Sequence, residues 1–208
     1  MKTAKKIFSL AAATLILCGG ASIDSTACVD ELRPLAPGVA YAAGEQPWVD
    51  DVNEATADDT MVYKIYIGKS IKELIADFNK REAWRRVEDK DIVIYEKSQT
   101  GYREAIYVFP QKENPDLIGE YRINFFVTKE EVADEIYMQA EKNLRYNFGR
   151  PSIKKGMSNM VWFLSDIFCI SVEYNEYDPR LPVAKGYPYA ISVHRSVGDY
   201  SKYFQNRK

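Results

Sequence analysis

Residues 121–140 read Tyr-Arg-Ile-Asn-Phe-Phe-Val-Thr-Lys-Glu-Glu-Val-Ala-Asp-Glu-Ile-Tyr-Met-Gln-Ala, and the hydrophobic period changes halfway. Tyr121, Ile123, Phe125 and Val127 alternate, as a half-buried strand requires. Beyond them Val132, Ile136, Ala140 and Leu144 fall on one stripe of an amphipathic helix. Thr128 followed three residues later by Glu131 has capping-box spacing, which places the helix start there. Gly149 and Pro151 supply the stop, a C′ glycine followed by proline.

The same joint is read upstream. Residues 62–67 alternate, with Tyr63, Ile65 and Ile67 on one face, and predict a strand. Gly68-Lys69 turns the chain, and Ser70 stands three before Glu73, again the capping-box spacing. Ile71, Leu74, Ile75 and Phe78 form the stripe of a helix expected to end near Trp84. Further strands are expected over 92–95, 102–109, 160–164, 167–174 and 189–195. The fold class is therefore α+β: a mostly antiparallel sheet with two amphipathic helices on one face. The repeated order suggests two similar strand–helix–strand–strand units. The other sheet face is expected to carry many of the fifteen Tyr.

The amino terminus is of a different kind. Lys2, Lys5 and Lys6 precede an apolar run over 7–17, and Gly19, Gly20, Ala21 and Ser22 follow. A basic, then apolar, then small-residue order describes a secretory signal peptide over residues 1–21. Its cleavage is expected somewhere from 21 to 42. A run of eleven residues is too short for a bilayer, which needs about 20. A membrane link is expected only through a lipid anchor, at Cys28, which follows the small Ala27, or at Cys18, which follows Leu17. Residues 22–60 hold nine acids against Arg33 alone, with Pro34, Pro37 and Pro47, and show neither period. They predict an acidic disordered spacer, with docking of Trp48 or of 32–41 onto the domain as the alternative. Residues 61–208 then form the α+β domain. Location is expected to be periplasmic, cell-surface or extracellular.

Two short stretches resemble fragments of small envelope proteins of the BamE/SmpA type. They are Ile67-Gly68-Lys69-Ser70 and Phe148-Gly149-Arg150-Pro151, the latter with Trp162 in the strand that follows. Here they stand about 80 residues apart. No function is carried over from that resemblance.

Composition narrows the chemistry. Three Cys and one His leave little for metal or His-based catalysis. Gly68-Lys69-Ser70 follows a predicted strand and opens a helix, but a phosphate loop needs Gly where Tyr63 stands. It reads as a turn with an N-cap. His194 reads as a half-exposed strand residue and Cys169 as a packed small hydrophobe. Acids such as Glu130, Glu131 and Asp134 suit a helix N-terminus. The candidate binding residues are Lys80, Arg81, Trp84, Arg85 and Arg86, a cationic cluster expected at the end of the first helix. The second candidate surface is the Tyr-bearing sheet face. The expected function is an exported, non-enzymatic binding or assembly module of the bacterial cell envelope, with no cofactor, metal or catalytic set. Its partner would be an envelope protein or glycan and not nucleic acid. The rival is a secreted hydrolase acting through a carboxylate pair.

Overall fold

Strand alternation decides where the helices go. In the computed structural model, which describes residues 46–57, 62–156, 158–178, 180 and 184–205, the chain runs α1 (Val49–Ala55), α2 (Ile71–Phe78), β1 (Arg85–Val87), β2 (Val93–Gln99), β3 (Tyr102–Pro110), β4 (Ile118–Val127), α3 (Glu130–Phe148), β5 (Ile153–Lys155), β6 (Asn159–Phe163), β7 (Phe168–Glu176), β8 (Tyr189–Val197) and α4 (Ser201–Gln205). All eight strands make one antiparallel sheet in the order β1-β2-β3-β4-β8-β7-β6-β5. One row across six strands is Tyr95, Ile106, Ile123, Val193, Val172 and Met160, and every member is buried. Each such side chain taken out of water is worth about 1.5–3 kcal/mol. α2 lays Leu74 and Phe78 on this face, and α3 lays Ala133, Ile136, Tyr137, Ala140 and Leu144. The protein is α+β, with its amphipathic helices on one face of an antiparallel sheet.

The repeat is real, but its boundaries differ from those expected. α2 leads into the meander β1-β2-β3-β4, and α3 leads into β5-β6-β7-β8. The last strands of the two meanders, β4 and β8, pair and join the halves. Each unit is one helix followed by four strands. The strand expected over 62–67 is a tight turn instead: Val62 bridges Ile65, and Tyr63 and Lys64 have φ of 53° and 61°. Two consecutive positive φ values belong to a type I′ geometry, which closes a two-residue hairpin. The turn imitates alternation because Tyr63 and Ile65, two residues apart, are both buried.

The spacer expectation is corrected where it can be seen. Residues 46–57 are folded, and α1 packs on the helix face with Trp48, Val52 and Ala55 buried. The docking alternative for Trp48 is what the structure shows, so the folded part starts before residue 61. Asp51 and Glu54, which looked like solvated charge, have partners. Lys97 Nζ reaches Asp51 Oδ2 at 2.7 Å, and the Tyr63 amide donates to Glu54 Oε1 at 3.0 Å. The Arg195 guanidinium, 1% exposed, donates to the carbonyls of Ala55 and Ala57 at 2.8 and 3.0 Å. The Ala55 carbonyl is one that the end of α1 leaves without an intrahelical partner, and Ala57 lies just past that end. Asn143 on α3 bonds Asn53 and Thr56. The signal peptide expected over 1–21, the lipid-anchor candidates Cys18 and Cys28, and the rest of 22–45 lie outside the described residues.

The helix ends also differ. α2 stops at Phe78, not near Trp84, and Ser70 takes the N-cap position without a side-chain cap bond. α3 is preceded by Lys129, so Thr128 lies one residue outside the cap. Gly149 does terminate α3, at φ 75° and ψ −151°, a region essentially limited to glycine. Its carbonyl accepts the Trp162 indole N–H at 3.0 Å, which ties the helix end to β6. Lys69 is buried, not idle in a turn: its ammonium bonds Asp77 Oδ2 at 2.7 Å and the Lys64 carbonyl at 2.8 Å.

Candidate functional site

The face opposite the helices is built from the alternate residues of the same strands. One row reads Ile94, Tyr107, Arg122, His194, Ser171 and Val161. The next reads Glu96, Ala105, Asn124, Ser192, Glu173 and Asn159. The middle of both rows, on β4, β8 and β7, is polar. Ser192 donates to Asn124 Oδ1 at 2.5 Å, and Asn175 Nδ2 donates to Ser192 at 3.3 Å. The short side chains Ser171 and Ser192 are buried between longer neighbours.

His194 lies in the middle of this face, directly across from Arg122 on one side and Ser171 on the other. Its side chain is 15% exposed, and Nε2 lies 3.6 Å from Glu120 Oε2, too long for a hydrogen bond. Burial and then the Arg122 charge push its pKa down to about 4. The imidazole is therefore neutral at pH 7. Arg122 Nε and His194 Nε2 are both buried without a hydrogen-bond partner.

A wall borders the face on one side. Tyr177 and Tyr187 pack against Ala105, Phe126 and Ala190. Arg103 lies over the Phe126 ring at 3.9 Å and meets Glu96 at 2.7 Å. Lys185, held at φ 48°, adds a second cation to Glu96 at 2.6 Å. Burial alone would raise the Glu96 pKa, but Lys185 and Arg103 outweigh it and hold the carboxyl below its usual value.

The Tyr expectation is overturned. Tyr95, Tyr102 and Tyr121 are buried on the helix face, and Tyr174 and Tyr189 pack against the same core. Tyr63 is buried there too, whereas Tyr66 is exposed. Of the strand tyrosines, Tyr107 stands on the helix-free face; Tyr187 comes from the connection before β8. Large aromatic rings fill the core under the helices, and the open face takes short polar groups.

The cationic cluster is not one surface. Arg81 donates to the Tyr63 carbonyl at 2.8 Å and covers the Phe78 ring. Trp84 packs edge-on against Tyr63 and Phe78, with Lys97 over its ring at 5.0 Å. Arg85 pairs across the strands with Glu96 and Arg86 with Tyr95, so the two guanidiniums leave β1 on opposite faces. Lys80 is exposed just beyond α2. A depression of about 470 Å³ near β1 is lined by Arg86, Glu88, Asp89 and Lys90, charges of both signs. A smaller one of about 270 Å³ lies among Tyr66, Ile67, Tyr121 and Phe168.

A carboxylate pair exists, on the other side of the sheet. Asp51 and Glu104 share Lys97, at 2.7 and 2.9 Å. Tyr63 donates to Glu104 Oε1 at 2.7 Å, and Tyr102 donates to Asp51. Burial first, and then Asp51, raises the Glu104 pKa to about 7, against the opposing pull of Lys97. Glu104 is 0% exposed, so no substrate reaches it. The set clamps α1 to the sheet. Ser171, His194 and Glu120 do share the helix-free face. However, an imidazole held near pKa 4 is a weak base at neutral pH. Around His194 and Ser171, β8 and the Cys169–Glu173 part of β7 also have strand partners on both sides, so their N–H groups there are not free to cradle an oxyanion.

Among the described residues there is no group of three or more His, Cys, Asp and Glu placed to hold a metal, and no helix long and apolar enough to cross a membrane. Cys169 is a free, buried thiol beside Ser196 and Tyr200. The polar residues Arg122, Asn124, Ser171 and Ser192 at the centre of the open face were absent from the sequence candidates. Their signal was the polar half of each alternating strand, which reads as ordinary solvent facing unless the second face is known to be shielded. The chain matches no family model, no curated protein and no solved structure.

Proposed function

We propose that this chain is an exported, non-enzymatic binding module of the bacterial cell envelope whose working surface is the helix-free face of the sheet. One observation carries the surface: Arg122 Nε and His194 Nε2 are buried there with no partner. Those two atoms are covered, but both residues are half-buried and keep their other polar atoms at the surface, so a ligand laid on the face meets side chains that make no hydrogen bond of their own. Export rests on the basic and apolar pattern of residues 1–21.

The test is site-directed photo-cross-linking in an envelope preparation. A photoreactive residue replaces Glu173 on the helix-free face, or Met138, which is 60% exposed on α3. Adducts formed from position 173 and absent from 138 support the surface. Equal adducts from both, or none from 173, refute it.

A further inference from the structure

We infer that the Arg122 guanidinium, in the row it shares with His194 and Ser171, seats the carboxylate of an acidic sugar. The inference rests on the helix-free face being the working surface. Other cations set into the sheet have partners: Lys97 meets two carboxylates, Arg103 meets Glu96, and Arg195 meets two carbonyls. Arg122 has no such partner, although its Nε is buried. Leaving a guanidinium half-desolvated and unpaired is costly, and an anion is the group that relieves it.

The surroundings choose which anion. A guanidinium presents parallel N–H groups that match a planar carboxylate at two points. The neighbouring His194 is neutral at pH 7, so it adds hydrogen-bonding capacity and no charge. The Ser171 hydroxyl opposite it adds a donor and an acceptor, suited to sugar hydroxyls. Tyr107, paired with Arg122 on the other side, offers a partly exposed ring for the apolar face of a pyranose. Glu120 and Glu173 flank the row on the same face. Their charge repels densely charged polyanions such as nucleic acid or polyphosphate, whose anionic groups stand closer together than the carboxylates of a uronate chain.

The test titrates the isotopically labelled full chain with trigalacturonate, a hyaluronan tetrasaccharide, maltotriose and inorganic phosphate. It reads amide shifts and calorimetric affinity. The expected result is that at least one uronate oligomer binds, with shifts centred on β4, β7 and β8. Arg122→Gln should weaken that binding about tenfold or more, and Arg122→Lys should recover part of it. Lys72→Gln, at an exposed position of α2 on the helix side of the sheet, should leave it unchanged. Unfolding midpoints of the variants report that each still folds. No binding of either uronate, or binding indifferent to Arg122→Gln, overturns the inference. Equal shifts from maltotriose on these strands also overturn the acidic seat, yet leave the face as a binding surface. Phosphate binding as tight as the uronates assigns a point-charge site and likewise overturns it.

Discussion

Removing residues 1–57 should abolish cooperative folding, although the two repeated units would remain intact in sequence. The cut takes away Trp48, Val52 and Ala55, which are 5%, 0% and 0% exposed. Losing a buried Trp side chain alone costs about 3–5 kcal/mol, and a buried Val about 1.5 kcal/mol or more. The cut also strips Arg195 of the Ala55 and Ala57 carbonyls and Lys97 of Asp51. Orphaning buried charge-assisted bonds adds roughly 1–3 kcal/mol each. The sum is on the order of 8 kcal/mol, within the whole stability of an ordinary domain. The assay is urea unfolding followed by far-ultraviolet circular dichroism. Chains beginning at 46 and at 58 are compared, with Trp48→Ala in the longer one as the graded case. A chain beginning at 58 that unfolds cooperatively with an unchanged midpoint would refute the claim that α1 belongs to the core.

Glu104 and His194 should oppose each other in the pH dependence of stability. The Glu104 pKa is raised to about 7, so its contribution is full below about 4.5 and is lost as pH rises through 7. The His194 pKa is lowered to about 4, so its contribution is present above about 6.5 and is lost as pH falls through 4. Glu104→Gln should therefore leave stability rising from pH 4 to 6.5, and His194→Gln should leave it falling from 4.5 to 7. Thermal midpoints of both variants against the parent across that window would show it, and parallel profiles would contradict it. Lys69→Ala should cost about 1–2 kcal/mol, because Lys69 is buried against Asp77 whereas Asp77 keeps some water. Ser70→Ala should cost less than about 0.5 kcal/mol, since the hydroxyl makes no cap bond. Urea midpoints that rank the two in the opposite order would return the capping role to Ser70.

The longer strands were legible because each shows its period, whereas β1 and β5, three residues each, are too short to do so and were missed. β3, β4, β7 and β8 run nine or ten residues, and one buried face stamps an alternation on the sequence. α1 was hidden because seven residues hold too few apolar positions to display a helical stripe, and its acids imitate a spacer. The Tyr63-Lys64 turn was hidden for another reason. The usual mark of such a turn is Asn-Gly, and here tertiary contacts, Tyr63 to Glu104 and Arg81 to the Tyr63 carbonyl, hold two bulky residues at positive φ. The open face was misjudged because alternation says which residues share a side and not which side the helices cover. Tyr95, Tyr102 and Tyr121 could have faced either way. Arg85 and Arg86 were adjacent in sequence, and a strand separates neighbours by its pleat.

The β4–β8 junction also shapes how the chain is made. The first meander is complete once Val127 has been delivered, but β8 begins only at Tyr189. During the intervening stretch β4 is an unguarded edge, ten residues long and ending in Asn-Phe-Phe-Val. An edge of that length and hydrophobicity is a template for pairing with another chain. The finished sheet ends instead on β1 and β5, three residues each and bearing Arg85, Arg86, Lys154 and Lys155, which discourage strangers. The hazard is thus confined to the time between the two halves. A molecule whose own β8 arrives late can accept the β8 of a sister molecule and close as an exchanged pair.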